Sequence, residues 1–327
     1  MAYGTVNADV IGTSVAGSNL GAGNASIMKN RIINGAMQIW QRGTTSTAIG
    51  YQTADRWSFY ADSSRTVAQS TDVPSGFTYS ASLSGTGSTG FTQKIESVNT
   101  IGLVGNSITI SFWLKQTTGA GTNAIALNLY YPTAVDNYSA TTQIGSTVNF
   151  TTTTGWVQYT ATFNSLPSGV SNGIQLTIVT TSGSAVVFLL TGVQLEVGSS
   201  ATGFEYVNYQ TSLANCQRYY WKNSGSSQYL RLGIGPANQT TSASITINMQ
   251  IPMRSAPTSV TTTGSFGLWT GATVFSVTAG SFALDSTSSG IASTVVTMNS
   301  SGLTTGTTYQ LIGNSDSTAA IALSAEL

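Results

Sequence analysis

The absence of histidine narrows the chemistry open to this chain: its 327 residues include eleven Asp and Glu, eleven Lys and Arg, and a single cysteine, Cys216. A Ser-His-Asp triad is excluded and the commonest general base is missing. One thiol without imidazoles makes neither an intrachain disulfide nor a Cys/His zinc cluster. A glycosidase needs only two carboxylates, roughly 5–10 Å apart. Here Asp55, Asp62, Asp72, Glu96, Asp136, Glu196, Glu205, Asp285 and Asp316 are scattered, and no local cluster singles out a pair. The chain is therefore expected not to be an enzyme, with a polysaccharide depolymerase as the lesser expectation.

Aromatic and amide side chains offer a different chemistry. Sugars present flat C–H faces that stack on Trp and Tyr, and their hydroxyls pair with Asn, Gln, Ser and Thr. Tyr130 and Tyr131, followed by Asp136, Asn137 and Tyr138, read as a loop in which exposed tyrosines would need a reason. Tyr130, Tyr131, Asn137 and Tyr138 are the candidate glycan contacts, with Trp269 as the alternative nearer the C-terminus. Trp57, Trp113 and Trp156 lie inside apolar alternation and read as core. The net charge is zero and no basic block occurs, which argues against a nucleic-acid partner. Glycan capture on such a surface would depend little on salt.

These residues must be positioned by strands. Charged residues make up 7% of the chain and hydrophobic ones 40%, a balance unlike disorder, and Thr, Val, Ile and Tyr suit half-buried pleated surfaces. Alternation marks strands near residues 33–39, 57–59, 91–95, 108–114, 124–131, 156–163, 173–180 and 185–196, with Gly-Ser-Thr turns between them. Period 2 lapses at 209–221, where Leu213, Cys216 and Tyr220 suggest a short helix capped by Thr211 or Ser212. More strands follow at 244–251, 273–277, 291–298, 308–312 and 319–323, with Pro252 and Pro257 between strands. The fold expected is all-β: a jelly-roll β-sandwich over 31–207, a connector at 208–222, and a second, smaller β domain over 223–327. Residues 1–30, rich in Gly, Ser, Asn and Ala, form an extended N-terminal segment that reads either as a linker or as a docking arm. No apolar run is long enough to span a membrane, and Met1 to Asp9 lacks the pattern of a secretory signal.

Five groups of residues carry a resemblance. Asn34-Gly35-Ala36-Met37 precedes Asp55-Arg56-Trp57, and Gln194-Leu195-Glu196-Val197-Gly198 closes the region about 140 residues later. Asn215-Cys216-Gln217-Arg218-Tyr219-Tyr220-Trp221 and the terminal Leu323-Ser324-Ala325-Glu326-Leu327 continue it. Together they resemble the jelly-roll module of bacteriophage tail and head fibres, which is itself similar to carbohydrate-binding jelly rolls.

That resemblance implies a virion structural protein, assembled in the host cytoplasm and released by lysis, that attaches to a host cell-surface glycan. The alternative is a decoration or connector protein that binds no sugar. The resemblance also implies a homotrimer, for which Leu213, Tyr219, Tyr220 and Trp221 are the interface candidates. It further implies attachment to other virion proteins through residues 1–30. No cofactor is expected. In similar jelly rolls an acidic residue near each end of the sandwich helps hold a structural calcium, which makes Asp55 and Glu196 candidate ligands. The other reading of these two is a surface pair, Asp55 with Arg56 or Glu196 with Arg42, or a carboxylate that caps backbone amides.

Overall fold

The computed structural model describes residues 29–122, 124–180, 185–224, 227–285 and 287–327. The attachment segment assigned to residues 1–30 lies outside them, apart from Lys29 and Asn30. The chain forms two compact units that meet in sequence between Ser212 and Leu213, and Leu327 counts with the first.

The first unit contains β1 (Thr45–Ser46), β2 (Ser58–Ser70), β3 (Ser80–Ile95), β4 (Ile108–Thr118), β5 (Ile125–Ala134), β6 (Asn137–Gln143), β7 (Val148–Phe150), β8 (Val157–Phe163), β9 (Ile174–Thr180) and β10 (Val186–Val197). All pair antiparallel in the order β6-β5-β9-β3-β10-β4-β8, with β2 on β3, β1 on β2 and β7 on β5. The long strand β3 makes this a jelly-roll sandwich. Its first half, Ala81 to Gly85, pairs with β10, and its last residues, Gly90 to Ile95, pair with β9. The ladder therefore divides into two leaves, and their inner faces supply one core.

Alternation decides what enters that core. Ile108, Ile110, Phe112 and Leu114 of β4, Phe188 and Leu190 of β10, and Leu176 and Ile178 of β9 point inward and are fully buried. Phe91 meets Phe188 edge to face at 5.9 Å and Trp57 at 6.3 Å, joining the leaves. Trp57 is core, as expected. Trp113 and Trp156 are not: the alternation that buries Phe112 and Leu114 turns Trp113 to the outer face, where it is half-buried. Trp156 is likewise half-buried and donates its indole N–H to Asp72, 2.9 Å away. Lys115 Nζ lies 2.6 Å from the other Asp72 oxygen, and these two donors, Lys115 first, hold the Asp72 carboxyl below its ordinary range.

One glycine sets the parity of β10. The register with β4 shifts between Thr191 and Gln194, a bulge centred on Gly192 with φ 62°. The extra residue keeps Val193 and Leu195 in the core and turns Gln194 and Glu196 outward. A Cβ at Gly192 would lie 2.6 Å from the Phe77 ring and 2.9 Å from that of Trp113, so the aromatic cover over this bulge requires a glycine. Phe77 packs in turn on Phe204 and Tyr206, at 5.1 and 5.6 Å.

The second unit holds most of helix α1 (Tyr209–Gln217) and strands β11 (Tyr220–Ser224), β12 (Arg231–Gln239), β13 (Ser242–Asn248), β14 (Ser259–Thr263), β15 (Phe266–Trp269), β16 (Val274–Ser276), β17 (Ala283–Leu284), β18 (Ser293–Asn299), β19 (Thr308–Gly313) and β20 (Ala320–Ser324). The helix starts earlier than expected because Asn208, rather than Thr211 or Ser212, accepts the first amides: Oδ1 from Thr211 N and the carbonyl from Ser212 N. The strands form a three-stranded sheet, β11-β20-β14, and a seven-stranded one, β16-β15-β19-β12-β13-β18-β17, over a core that includes Trp221, Ile245, Ile247, Leu268 and Leu311. The Tyr220-Trp221 motif and the terminal Leu323-Ser324 motif prove to be partners, with Trp221 opposite Leu323 and Tyr220 opposite Ser324.

Candidate functional site

The motif residues of the first unit form two polar clasps. At the first, Asn34, with φ 56°, accepts the amides of Gln38 and Ile39 on Oδ1 and donates from Nδ2 to the carbonyls of Ile39 and Asp55, both at 3.0 Å. Trp57 Nε1 donates to Asn34 O at 3.1 Å. Asp55, fully buried, accepts from Gln41 N at 3.1 Å and from the Gln41 side-chain amide, with Arg42 Nη1 3.8 Å away. Gly35 has no alternative, since a Cβ there would sit 2.1 Å from Val193 O.

At the second clasp, Glu196 accepts from Gln194 Nε2 (2.9 Å) and Thr202 N (2.8 Å) on one oxygen and from Thr202 Oγ1 (2.6 Å) on the other. Lys29 Nζ stands 3.9 Å from it and donates to Gly203 O. Gln194 Oε1 accepts Glu205 N, Glu205 accepts Asn30 N, and Asn30 returns a donor to Val193 O and an acceptor to Leu195 N. The Gln-Leu-Glu sequence thus binds the chain entering the sandwich to the chain leaving it. A chain beginning at Lys29 is therefore expected to melt like the full-length protein. One beginning at Arg31 loses the Asn30 bonds and about 1–3 kcal/mol, which paired thermal melts would register.

Both proposed calcium ligands are thus wrapped in N–H and O–H donors, whereas calcium takes six to eight oxygen acceptors. Arg42 lies beside Asp55 rather than Glu196, and the buried Arg56 donates to Lys94 O at 2.6 Å. Among the described residues no three carboxylates or thiols converge.

The tyrosine group is a hairpin rather than a loop. Tyr130 and Tyr131 belong to β5, Asn137 and Tyr138 to β6, and Tyr130 lies opposite Gln143. Alternation separates the two adjacent tyrosines. Tyr131 packs against the core and lies where a Cβ on Gly169 would be, 2.3 Å from its ring. Tyr138 is tied down: its hydroxyl donates to Ile95 O at 2.6 Å and contacts Ile174 O at 3.2 Å, and Lys94 Nζ lies 5.1 Å from its ring centroid. Burial, and then the Asp136 charge, push the Tyr138 hydroxyl well above its ordinary pKa. Replacing Tyr131 and Tyr138 would therefore damage the sandwich rather than report on a surface site. Asn137 is exposed and accepts Ser139 N.

Tyr130 points outward, and cross-strand register gathers a group around it that the sequence does not show. Lys94, Gln175, Tyr130 and Gln143 form one row across the outer face of β3, β9, β5 and β6. Ser58, Thr92, Thr177 and Asn128 form the next, and Tyr60, 48% exposed, opens a third beside Gly90. Thr92 and Thr177 hydroxyls are 3.3 Å apart, and Asn128 Oδ1 accepts Thr147 Oγ1 at 2.6 Å and Gln143 Nε2 at 3.4 Å. Tyr60 donates to Asp62 at 2.8 Å, a bond that raises its hydroxyl pKa; the Ser88 amide, and then Tyr60, hold Asp62 low. By strand spacing and rise, Tyr60 and Tyr130 stand roughly 20 Å apart on this face.

Of the interface candidates, Tyr219 and Trp221 are corrected: both are 1% exposed, and Trp221 Nε1 donates to Gln250 Oε1 at 3.0 Å within its own unit. Leu213 and Tyr220 are half-buried. Trp269 stands on the outer face of β15, half-buried, with the Arg231 guanidinium 5.0 Å from its ring centroid.

No protein-family model matches the chain, and neither does any curated protein. Solved structures give partial likenesses. The enzymatically active domain of tailspike protein 4 of bacteriophage CBA120 is 16% identical, with a TM-score of 0.38 over 52% of this chain and 22% of that one. Family 16 Carbohydrate Binding Module-2 is 18% identical, with a TM-score of 0.33 over 51% of this chain and 99% of that one. The CBM22-1 xylan-binding domain of Paenibacillus barcinonensis Xyn10C is 15% identical, with a TM-score of 0.30 over 44% and 87%. Each covers only about half of the present chain.

Proposed function

We propose that this chain is a virion structural protein of the phage tail- or head-fibre kind, or a decoration protein of the particle, that holds a host-surface glycan on the outer face of β2, β3, β9, β5 and β6. The observation that carries the glycan reading is that face itself: two outward tyrosines with hydroxyl and amide side chains in register between them. Flat aromatic and neutral hydrogen-bonding groups are what sugar rings and hydroxyls require. The virion reading is supported by the motif residues, which the two clasps of the first unit and the β11–β20 pairing of the second use throughout. Other particle proteins would be engaged by the chain preceding Lys29. Three copies, as fibres are built, would raise a weak single-site affinity by avidity.

The test is adsorption to host cells by the double variant Tyr60→Ala, Tyr130→Ala. Both side chains are outward, so the β circular-dichroism signal and melting temperature should stay within a degree or two while adsorption falls roughly a hundredfold, each lost stacking aromatic costing about 1–1.5 kcal/mol. Full adsorption by the folded variant removes this face as the site. A wild-type protein that is found on particles but adsorbs to no host cell leaves the structural reading alone standing.

A further inference from the structure

We infer a second saccharide site, in the 213–326 unit, on the outer face of β15, β19 and β12, and selective for sugars that carry a carboxylate. It goes beyond the neutral face of the first unit and does not depend on it. Trp269 and Gln310 are direct cross-strand partners, as are Gln310 and Ile234. Their neighbours Leu268, Tyr309 and Leu311 all point into the core, so Trp269, Gln310 and Ile234 share the outward face, and Ile234 is 49% exposed. Val274, opposite Trp269, extends the row, also exposed.

Two polar groups on this face lack a hydrogen-bonding partner among the described residues. Gln310 Oε1 is buried and accepts no hydrogen bond, in a class of atom that is ordinarily satisfied. Arg231 lies over the Trp269 ring, and among the described residues no carboxylate is within ion-pair distance of it. The indole holds the guanidinium in place without neutralising it. A guanidinium fork matches a carboxylate bidentately. Ile234 and Val274 offer apolar area to the C–H face of a ring, and the half-buried Gln310 side chain, whose oxygen gains no bond where it stands, would turn to take a sugar hydroxyl as its donor. Those demands together describe an acidic sugar, a hexuronate or a sialate, better than a neutral one.

The full-length protein carrying ¹⁵N-labelled tryptophan tests this, the Trp269 indole resonance being the one absent from Trp269→Phe. Titrations with oligogalacturonate and with oligosialate are compared with oligogalacturonate whose carboxyls have been reduced to alcohols. At least one acidic oligosaccharide should shift the Trp269 resonance at millimolar concentration, and the reduced one should not. Arg231→Gln, an exposed substitution, should weaken that binding roughly tenfold, and raising the salt should weaken it several-fold, because the charge lies in solvent. Tyr60→Ala with Tyr130→Ala should leave it unchanged, which separates this site from the first. A Trp269 resonance unmoved by both acids, moved equally by the reduced sugar, or moved equally in Arg231→Gln overturns the inference.

Discussion

Asp55→Ala should lower the stability of the first unit by about 3–5 kcal/mol, the usual cost of removing one partner from a buried charge pair. Asp55 is fully buried and is met by the Gln41 amide, the Gln41 side chain and Arg42, so its loss takes the acceptor from two donors and the carboxylate from beside a cation at once. For a unit of this size that is a fall in melting temperature of roughly 6–20 °C. Asp55→Asn keeps an acceptor for the Gln41 amide and loses only the charge, so it should fall between the variant and the wild type. Since donors already surround Asp55 and Glu196, neither a chelator nor added calcium should move the wild-type melting curve. A calcium-dependent rise that Asp55→Ala removes would return Asp55 to the role of a metal ligand.

The residues that carry chemistry could be picked out from the sequence more easily than their roles could be assigned. Asn34, Gly35, Asp55, Gln194 and Glu196 are the ones on which the sandwich closes, yet each is spent on holding backbone. What the sequence lacked was the direction in which each side chain points. Tyr130 and Tyr131 are adjacent and chemically alike, but one residue of parity sends the first to a surface row and the second to the core. Trp113 departs from the expected core for the same reason, lying one residue out of step with Phe112 and Leu114.

Strands themselves follow from alternation, and most of the expected segments are strands. Register does not follow, because it depends on bulges such as the one at Gly192, whose positive φ leaves no trace but a glycine. The surface rows of the first unit join residues from β2, β3, β9 and β5, separated by up to about 120 positions, and only the pairing shows that Ser58, Thr92, Thr177 and Asn128 are neighbours. Tyr60 is hidden in the sequence because Ser58-Phe59-Tyr60-Ala61 reads as one apolar strand, and only the structure shows that Phe59 points inward and Tyr60 outward. The β11–β20 pairing was hidden by distance alone, since about a hundred residues separate Trp221 from Leu323.

That pairing carries the second large expectation. Trp221 is 1% exposed, packs in the core of the second unit and donates its indole N–H to Gln250. Trp221→Ala removes one of the largest buried side chains and leaves the Gln250 oxygen without its donor, which together should cost about 3–5 kcal/mol. The two units have separate cores, so calorimetry should show this loss in one transition while the other stays in place, and Trp57→Ala should do the reverse. If both transitions fall together in both variants, the units unfold as one cooperative body. Any loss of assembly in Trp221→Ala would then report the unfolding of its own unit. A trimer contact near this motif has to be sought at Leu213 and Tyr220, whose half-buried side chains can be cut to Ala without emptying a core, and light scattering on those two variants would read the oligomer directly.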